Sequence, residues 1–139
     1  MIGLDTNVLV RYITQGDPVN SSKATNFIER HLSTENPGYV SIIALVETVW
    51  VLGTSYGFAD WQIVPVIEQM LGVETLVVEN AEDVSIAVMA VKRRTGDFTD
   101  VLLGAKCVRA GCTHTVTFDK RASRMRGFAS VPGKGIGMN

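Results

Sequence analysis

Short apolar runs alternate along this chain with longer stretches whose apolar residues recur every three to four positions. The runs at residues 1–4, 38–41, 76–78, 113–116 and 129–131 read as strands. Between them lie helical patterns. Asp5-Thr6-Asn7 opens a helix to about Thr14, with polar residues at its cap. Gly16-Asp17-Pro18 breaks the chain, and Pro18 suits the first turn of a second helix, where Ala24, Phe27, Ile28 and Leu32 keep a 3.6-residue period. Residues 42–56 read as a largely buried helix and residues 59–71 as another. Residues 81–95 form a further one, with Val84, Ala87, Val88 and Val91 on one stripe. Gly96-Asp97-Phe98-Thr99 turns into a helix over 100–110, capped by Thr99 and ended by Gly111 in the left-handed position. Residues 118–125 read as a short helix or turn.

Strands alternating with helices predict an α/β fold around a parallel sheet. The 139 residues suit one domain with a real hydrophobic core, spanning 1–132, followed by a glycine-rich flexible tail over 133–139. No internal repeat or linker interrupts it. The N-terminal apolar run is broken by Asp5 and lacks a basic lead, unlike a secretory signal. The longest apolar segment, 40–52, is too short to span a bilayer and carries Glu47 near its middle. Cys107 and Cys112 lack metal-ligand spacing and read as free thiols of a reducing compartment, which predicts a cytoplasmic protein without membrane contact.

The net charge of −1 conceals an asymmetry. Residues 31–91 contain no Lys or Arg against eight Asp and Glu, whereas residues 92–139 hold ten Lys and Arg against three Asp. A basic C-terminal third beside an acidic site fits a polyanionic substrate, although a merely solvated surface fits the charge count equally well. Lys92, Arg93, Arg94, Lys120, Arg121, Arg124 and Arg126, together with Arg11 on the first helix, are the candidates for phosphate contacts.

Four carboxylates stand out. Asp5 closes the first apolar strand, and Asp119 follows Thr-Val-Thr-Phe. Asp100 precedes Val-Leu-Leu-Gly-Ala, and Glu47 is the only charged residue between Asn36 and Ala59. Buried carboxylates close to one another would mostly protonate unless a cation joined them, and hard oxygen ligands suit Mg²⁺ or Mn²⁺. Ligands of open parallel sheets bind beyond the carboxyl ends of strands, where all four acids can converge. Each also has a bland role. Asp5 and Asp119 suit helix caps, and Asp100 is favourable in a first turn. Glu47 has the weakest such alternative, because a lone acid in an apolar helix needs a partner. Thr6, Asn7, Ser41 and Thr117 flank the acids and can orient carboxylates or waters.

These blocks together resemble the PIN domain, and more narrowly the VapC-type toxin ribonucleases of bacterial toxin–antitoxin pairs. The resemblance rests on Leu-Asp-Thr-Asn-Val-Leu at the N-terminus, the isolated Glu47, Asp-Phe-Thr-Asp-Val-Leu-Leu-Gly, and Thr-Phe-Asp, in this order from residue 1 to about 131. It implies a Rossmann-like α/β/α sandwich and a Mg²⁺- or Mn²⁺-dependent RNA endonuclease leaving 5′-phosphate and 3′-hydroxyl ends. It also implies a homodimer inhibited by a small antitoxin. Asp5, Glu47, Asp100 and Asp119 match the family's acidic quartet, and Asn7 and Thr117 its supporting polar positions. Asp97 stands only three residues from Asp100, but Asp100 holds the family's third acidic position and Asp97 a supporting one.

Two other readings compete. An aspartate-nucleophile phosphatase would want a second Asp two residues after Asp5, where Asn7 stands. A PIN-like module that only binds RNA or protein would not need an intact quartet. A receiver-like signalling domain lacks its early acidic pair and late Lys. Gly133–Gly137 lacks the P-loop pattern. His31 and His114 read as structural, with His114 packed at a strand start. Trp50 and Trp61 read as core rather than base-stacking platforms.

Overall fold

A computed structural model describes residues 1–133; the tail expected at 133–139 lies, from residue 134, outside the described residues. The chain divides into two compact units, Met1–Ala81 and the part from Glu82 onward. The fold is α/β, and every strand pairing is parallel.

In the first unit, strand β1 (Ile2–Gly3) leads through helices α1 (Thr6–Thr14) and α2 (Pro18–Asn26) to β2 (Gly38–Val40). Helices α3 (Ile42–Tyr56) and α4 (Asp60–Gly72) then lead to β3 (Leu76–Val78). The sheet order is β1-β2-β3, with Ile2 opposite Gly38 and Val40 opposite Val78. A parallel pair requires such a crossover, because consecutive parallel strands cannot be joined by a hairpin. Glycine suits position 38 in the central strand, since a Cβ there would stand 2.8 Å from Leu32 Cδ1 and 3.0 Å from Leu4 Cδ1 and force these side chains to shift. Leu9, Val40, Leu45, Leu52 and Ile67 fill the core of this unit.

Local chemistry sets the helix ends. Asp17 caps α2, its Oδ1 accepting from the Asn20 amide at 3.1 Å, and that bond holds its carboxyl below the usual range. The expected periodic helix through Leu32 widens after Asn26 into a π-helical turn, Phe27–His31, in which the Phe27 and His31 rings stack 5.6 Å apart. Ser41 caps α3 by accepting from the Ala44 amide at 3.1 Å, and Gly57, at φ +71°, ends it.

In the second unit, α5 (Ala81–Lys92) and α6 (Phe98–Arg109) precede the paired strands β4 (Thr115–Thr117) and β5 (Phe128–Ser130), with a 3₁₀ turn at Ala122–Arg124 between them. Helix α6 begins two residues before the sequence pattern suggests. Its N-cap is Asp97 rather than Thr99, because Phe98 joins the helix and is buried. Gly111, at φ +101°, follows the helix as expected. Asp83 is buried in the first turn of α5 and takes both prongs of the Arg109 guanidinium, at 2.9 Å from Nε and 2.7 Å from Nη2. Among the described residues, no helix is long and apolar enough to cross a membrane.

Candidate active site

The carboxyl ends of β1, β2 and β3 carry Asp5, Ser41 and Glu79 in turn. Asp5 holds extended geometry at the N-cap of α1, yet its side chain makes no capping bond. Thr6, the first residue of α1, donates from Oγ1 to Glu47 Oε1 at 3.2 Å. This bond ties the second turn of α3 to the residue beside Asp5. Asn7 follows, exposed, in the first turn of α1. Glu47 is thus partnered as its isolated position predicts, by a neutral hydroxyl.

Glu79 was not among the candidates. Its Oε1 accepts from the Ile42 amide at 2.8 Å, closing the N-terminus of α3. Burial, and then the charge and hydrogen bond of Glu79, raise the Tyr39 phenol above its ordinary value. The signal was present in Leu-Val-Val-Glu, where an acid follows an apolar strand as Asp5 follows Ile-Gly-Leu. Its existing bonds make it a structural acid at the same strand ends.

In the second unit, the Asp119 amide donates to Thr117 Oγ1 at 3.0 Å. Asp119 Oδ1 accepts from the amides of Arg121 at 2.7 Å and Ala122 at 3.0 Å, which closes the 3₁₀ turn. The Ala122 amide first, then the Arg121 amide and the Arg121 charge, hold the Asp119 carboxyl below its ordinary range. Both amide bonds fall on Oδ1, leaving Oδ2 for a ligand or water. Asp97 occupies the N-cap of α6 without a side-chain cap bond, and Asp100, half-buried in the first turn, is engaged by a partner.

Three expectations are corrected. The candidate acids are not buried: Asp5, Glu47 and Asp119 are exposed, and only Asp100 is half-buried. The apolar neighbours of Glu47 in sequence misled, because a helix spreads consecutive residues around its axis. The buried acid is Asp83 instead. Nor are the tryptophans core residues, since Trp50 is 66% and Trp61 71% exposed. His114 is likewise exposed, sharing a 3.0 Å contact with Thr113 Oγ1 rather than packing at the strand start.

The basic candidates are at the surface. Lys92 ends α5 and Arg93 and Arg94 follow in the turn, all three exposed, and Lys120 and Arg121 adjoin Asp119. Arg11, in the last turn of α1, stands 3.9 Å from Asp17 Oδ2.

Among the described residues, no three His, Cys, Asp or Glu side chains gather into a ready-made ion cluster. The arrangement instead gives the Glu47 carboxylate a hydroxyl donor in Thr6, while in the second unit the Thr117 hydroxyl accepts from the Asp119 main-chain amide. The donors are hard carboxylates without thiolate or imidazole, the set that suits Mg²⁺ or Mn²⁺. The uncapped Asp5 and the singly bonded Glu47 retain lone pairs for such an ion. The pattern of acids has a counterpart among known proteins: a family model for the PIN domain matches residues 2–127.

The chain belongs to the PIN-domain family. PIN domains are generally nucleases and typically use divalent metals. The match spans both compact units, so the PIN domain here takes in Asp5, Glu47, Asp97, Asp100 and Asp119 alike. No curated protein and no solved structure matches the chain.

Proposed function

We propose that this PIN domain is a Mg²⁺- or Mn²⁺-dependent endoribonuclease and the toxin of a VapC-type toxin–antitoxin pair. The observation that carries the reading is the family match over residues 2–127, which takes in all four candidate acids. Asp5, Glu47, Asp100 and Asp119 would hold the ion, with Asp97 a supporting acid. The bound ion supplies positive charge for the scissile phosphate and a more acidic water.

The protein's own groups do the rest. Thr6 holds the orientation of Glu47, and the Arg121 and Ala122 amides fix one oxygen of Asp119. One carboxylate takes a proton from the attacking water. In-line attack on phosphorus breaks the bond to the 3′ oxygen and leaves 5′-phosphate and 3′-hydroxyl ends. Lys120 and Arg121, exposed beside Asp119, bind flanking phosphates, and Lys92, Arg93 and Arg11 are further candidates for phosphate contact.

The toxin assignment finds support in the exposed aromatic face of the first unit. Ile43 and Trp50, two turns apart on α3, are 72% and 66% exposed, and Trp61 on α4 is 71% exposed. Such apolar exposure marks a partner surface, and tryptophan is a favoured anchor. A small antitoxin covers this face and directs a basic side chain toward the acids of a region without Lys or Arg. The active chain is a homodimer in the cytoplasm. The same aromatic face favours a second reading, a PIN module that binds a partner without catalysis.

Cleavage of cellular RNA by antitoxin-free protein separates the two. It should stop with EDTA and return with Mg²⁺ or Mn²⁺. Asp5→Ala and Asp100→Ala should abolish it, and Asp97→Ala should weaken it less. Tight partner binding without cleavage under either metal would establish the binding module instead.

A further inference from the structure

An open groove of about 1000 Å³ runs along α5 and α6 in the second unit, floored by Ile86, Met89, Val108 and Phe128. Three of these are well exposed: Ile86 at 54%, Met89 at 41% and Val108 at 63%. The same outer stripe of α5 begins with Glu82 and continues past the helix end to Arg93, so opposite charges bracket the apolar centre. The Glu82 side chain is 90% exposed even though it lies 3.8 Å from Arg109.

The spacing of this stripe is self-complementary. A two-fold axis placed midway between Ile86 and Met89 sets Ile86 of one copy opposite Met89 of the other when two α5 helices pack antiparallel. The same axis sets Glu82 opposite Arg93, and Ser85 opposite Ala90, with no shift of register. Small residues at 85 and 90 let the helices approach, and each charged end meets its opposite. An isologous contact requires this symmetry, because each patch must complement itself. We propose that α5 is the interface between two copies of this chain, joined antiparallel through Ile86 and Met89 and flanked by two Glu82–Arg93 ion pairs. The aromatic face of α3 and α4 is thereby left to a different partner. The inference rests on the two-copy assembly proposed above but not on nuclease activity.

Sedimentation equilibrium of the full chain tests it, with circular dichroism confirming that each variant is folded. The wild type should be a dimer. Ile86→Asp should raise the dimer Kd by about 30-fold or more by placing charge at the apolar centre. Glu82→Arg and Arg93→Glu should each weaken the dimer by about 10-fold through like-charge contact, and the two together should restore it. RNA cleavage by these dimers and monomers is a separate readout, so loss of the nuclease reading leaves the interface test intact. A monomeric wild type overturns the proposal, as does a dimer indifferent to Ile86→Asp. Singly weakened but jointly unrescued charge variants overturn the antiparallel register.

Discussion

Glu47 and Asp83 are both acids in the first two turns of a helix, yet the protein treats them in opposite ways. Asp83, in the first turn of α5, is 2% exposed and grips both prongs of Arg109. Glu47, in the second turn of α3, is exposed and accepts one hydroxyl bond from Thr6. A carboxylate taken out of water needs a full charge and several donors to offset its lost hydration. Asp83 has them and stabilises a helix pair. Glu47 keeps water on one side and only a neutral donor on the other, so its lone pairs remain available to a cation. Burial with complete pairing makes Asp83 a structural acid, and exposure with partial pairing leaves Glu47 open to the cation-holding role proposed above.

The largest expected effect follows directly. Glu47→Ala should take RNA cleavage below detection, while its unfolding free energy stays within about 0.5 kcal/mol of wild type, as for ordinary surface sites. Parallel cleavage and urea-unfolding measurements check both halves. A strongly destabilised Glu47→Ala would erase the contrast with Asp83.

Removing only the orienting bond should cost less. Thr6→Val keeps the shape of α1 but deletes the donor to Glu47, and cleavage or metal affinity should fall about 10- to 100-fold, the usual range for groups that orient ligands. Thr6→Ser should recover most of the loss. An unchanged Mn²⁺ titration and cleavage rate for Thr6→Val would mean that the 3.2 Å bond does no orienting.

The strand and helix order was legible because each element carries its own periodicity and stop signals. Residues 42–56 carry a helical pattern and form a helix, from Ser41 as cap to Gly57 as stop. Glu47 is legible as an isolated charge and Asp5 as the end of an apolar strand, and the family match covers both with Asp100 and Asp119. Burial was not legible. The stretch Ile-Ile-Ala-Leu-Val-Glu-Thr-Val-Trp-Val-Leu looks uniformly interior, but rotation by 100° per residue turns Ile43, Glu47 and Trp50 outward together. The Asp83–Arg109 pair was hidden for a different reason. Its members are 26 residues apart, and only the packing of α5 against α6 reveals them as partners. The capping role of Glu79 is not legible in sequence, because a capping acid and a ligating acid have the same signature after a strand.

The smallest effect concerns stability alone and tests the other side of the comparison. Asp83→Asn preserves the shape of the side chain but weakens two charge-assisted bonds, which should lower the unfolding free energy by about 2 kcal/mol near neutral pH. Cleavage measured well below the melting temperature should be unaffected. The pH dependence gives the sharper test. The hydrogen bonds from Arg109 hold the Asp83 carboxyl below its ordinary value, against the opposing effect of burial. A group whose folded pKa is depressed adds stability in full above its unfolded pKa, about 3.9, and loses it as pH falls through the folded value. The Asn variant has no such proton to take up. The stability gap between wild type and Asp83→Asn should therefore be constant from neutral pH down to about 5, narrow below about 4, and close as Asp83 protonates in the folded protein. Urea unfolding across that range measures it. A gap that persists unchanged into strong acid would show that Arg109 is held by shape rather than by the charge of Asp83.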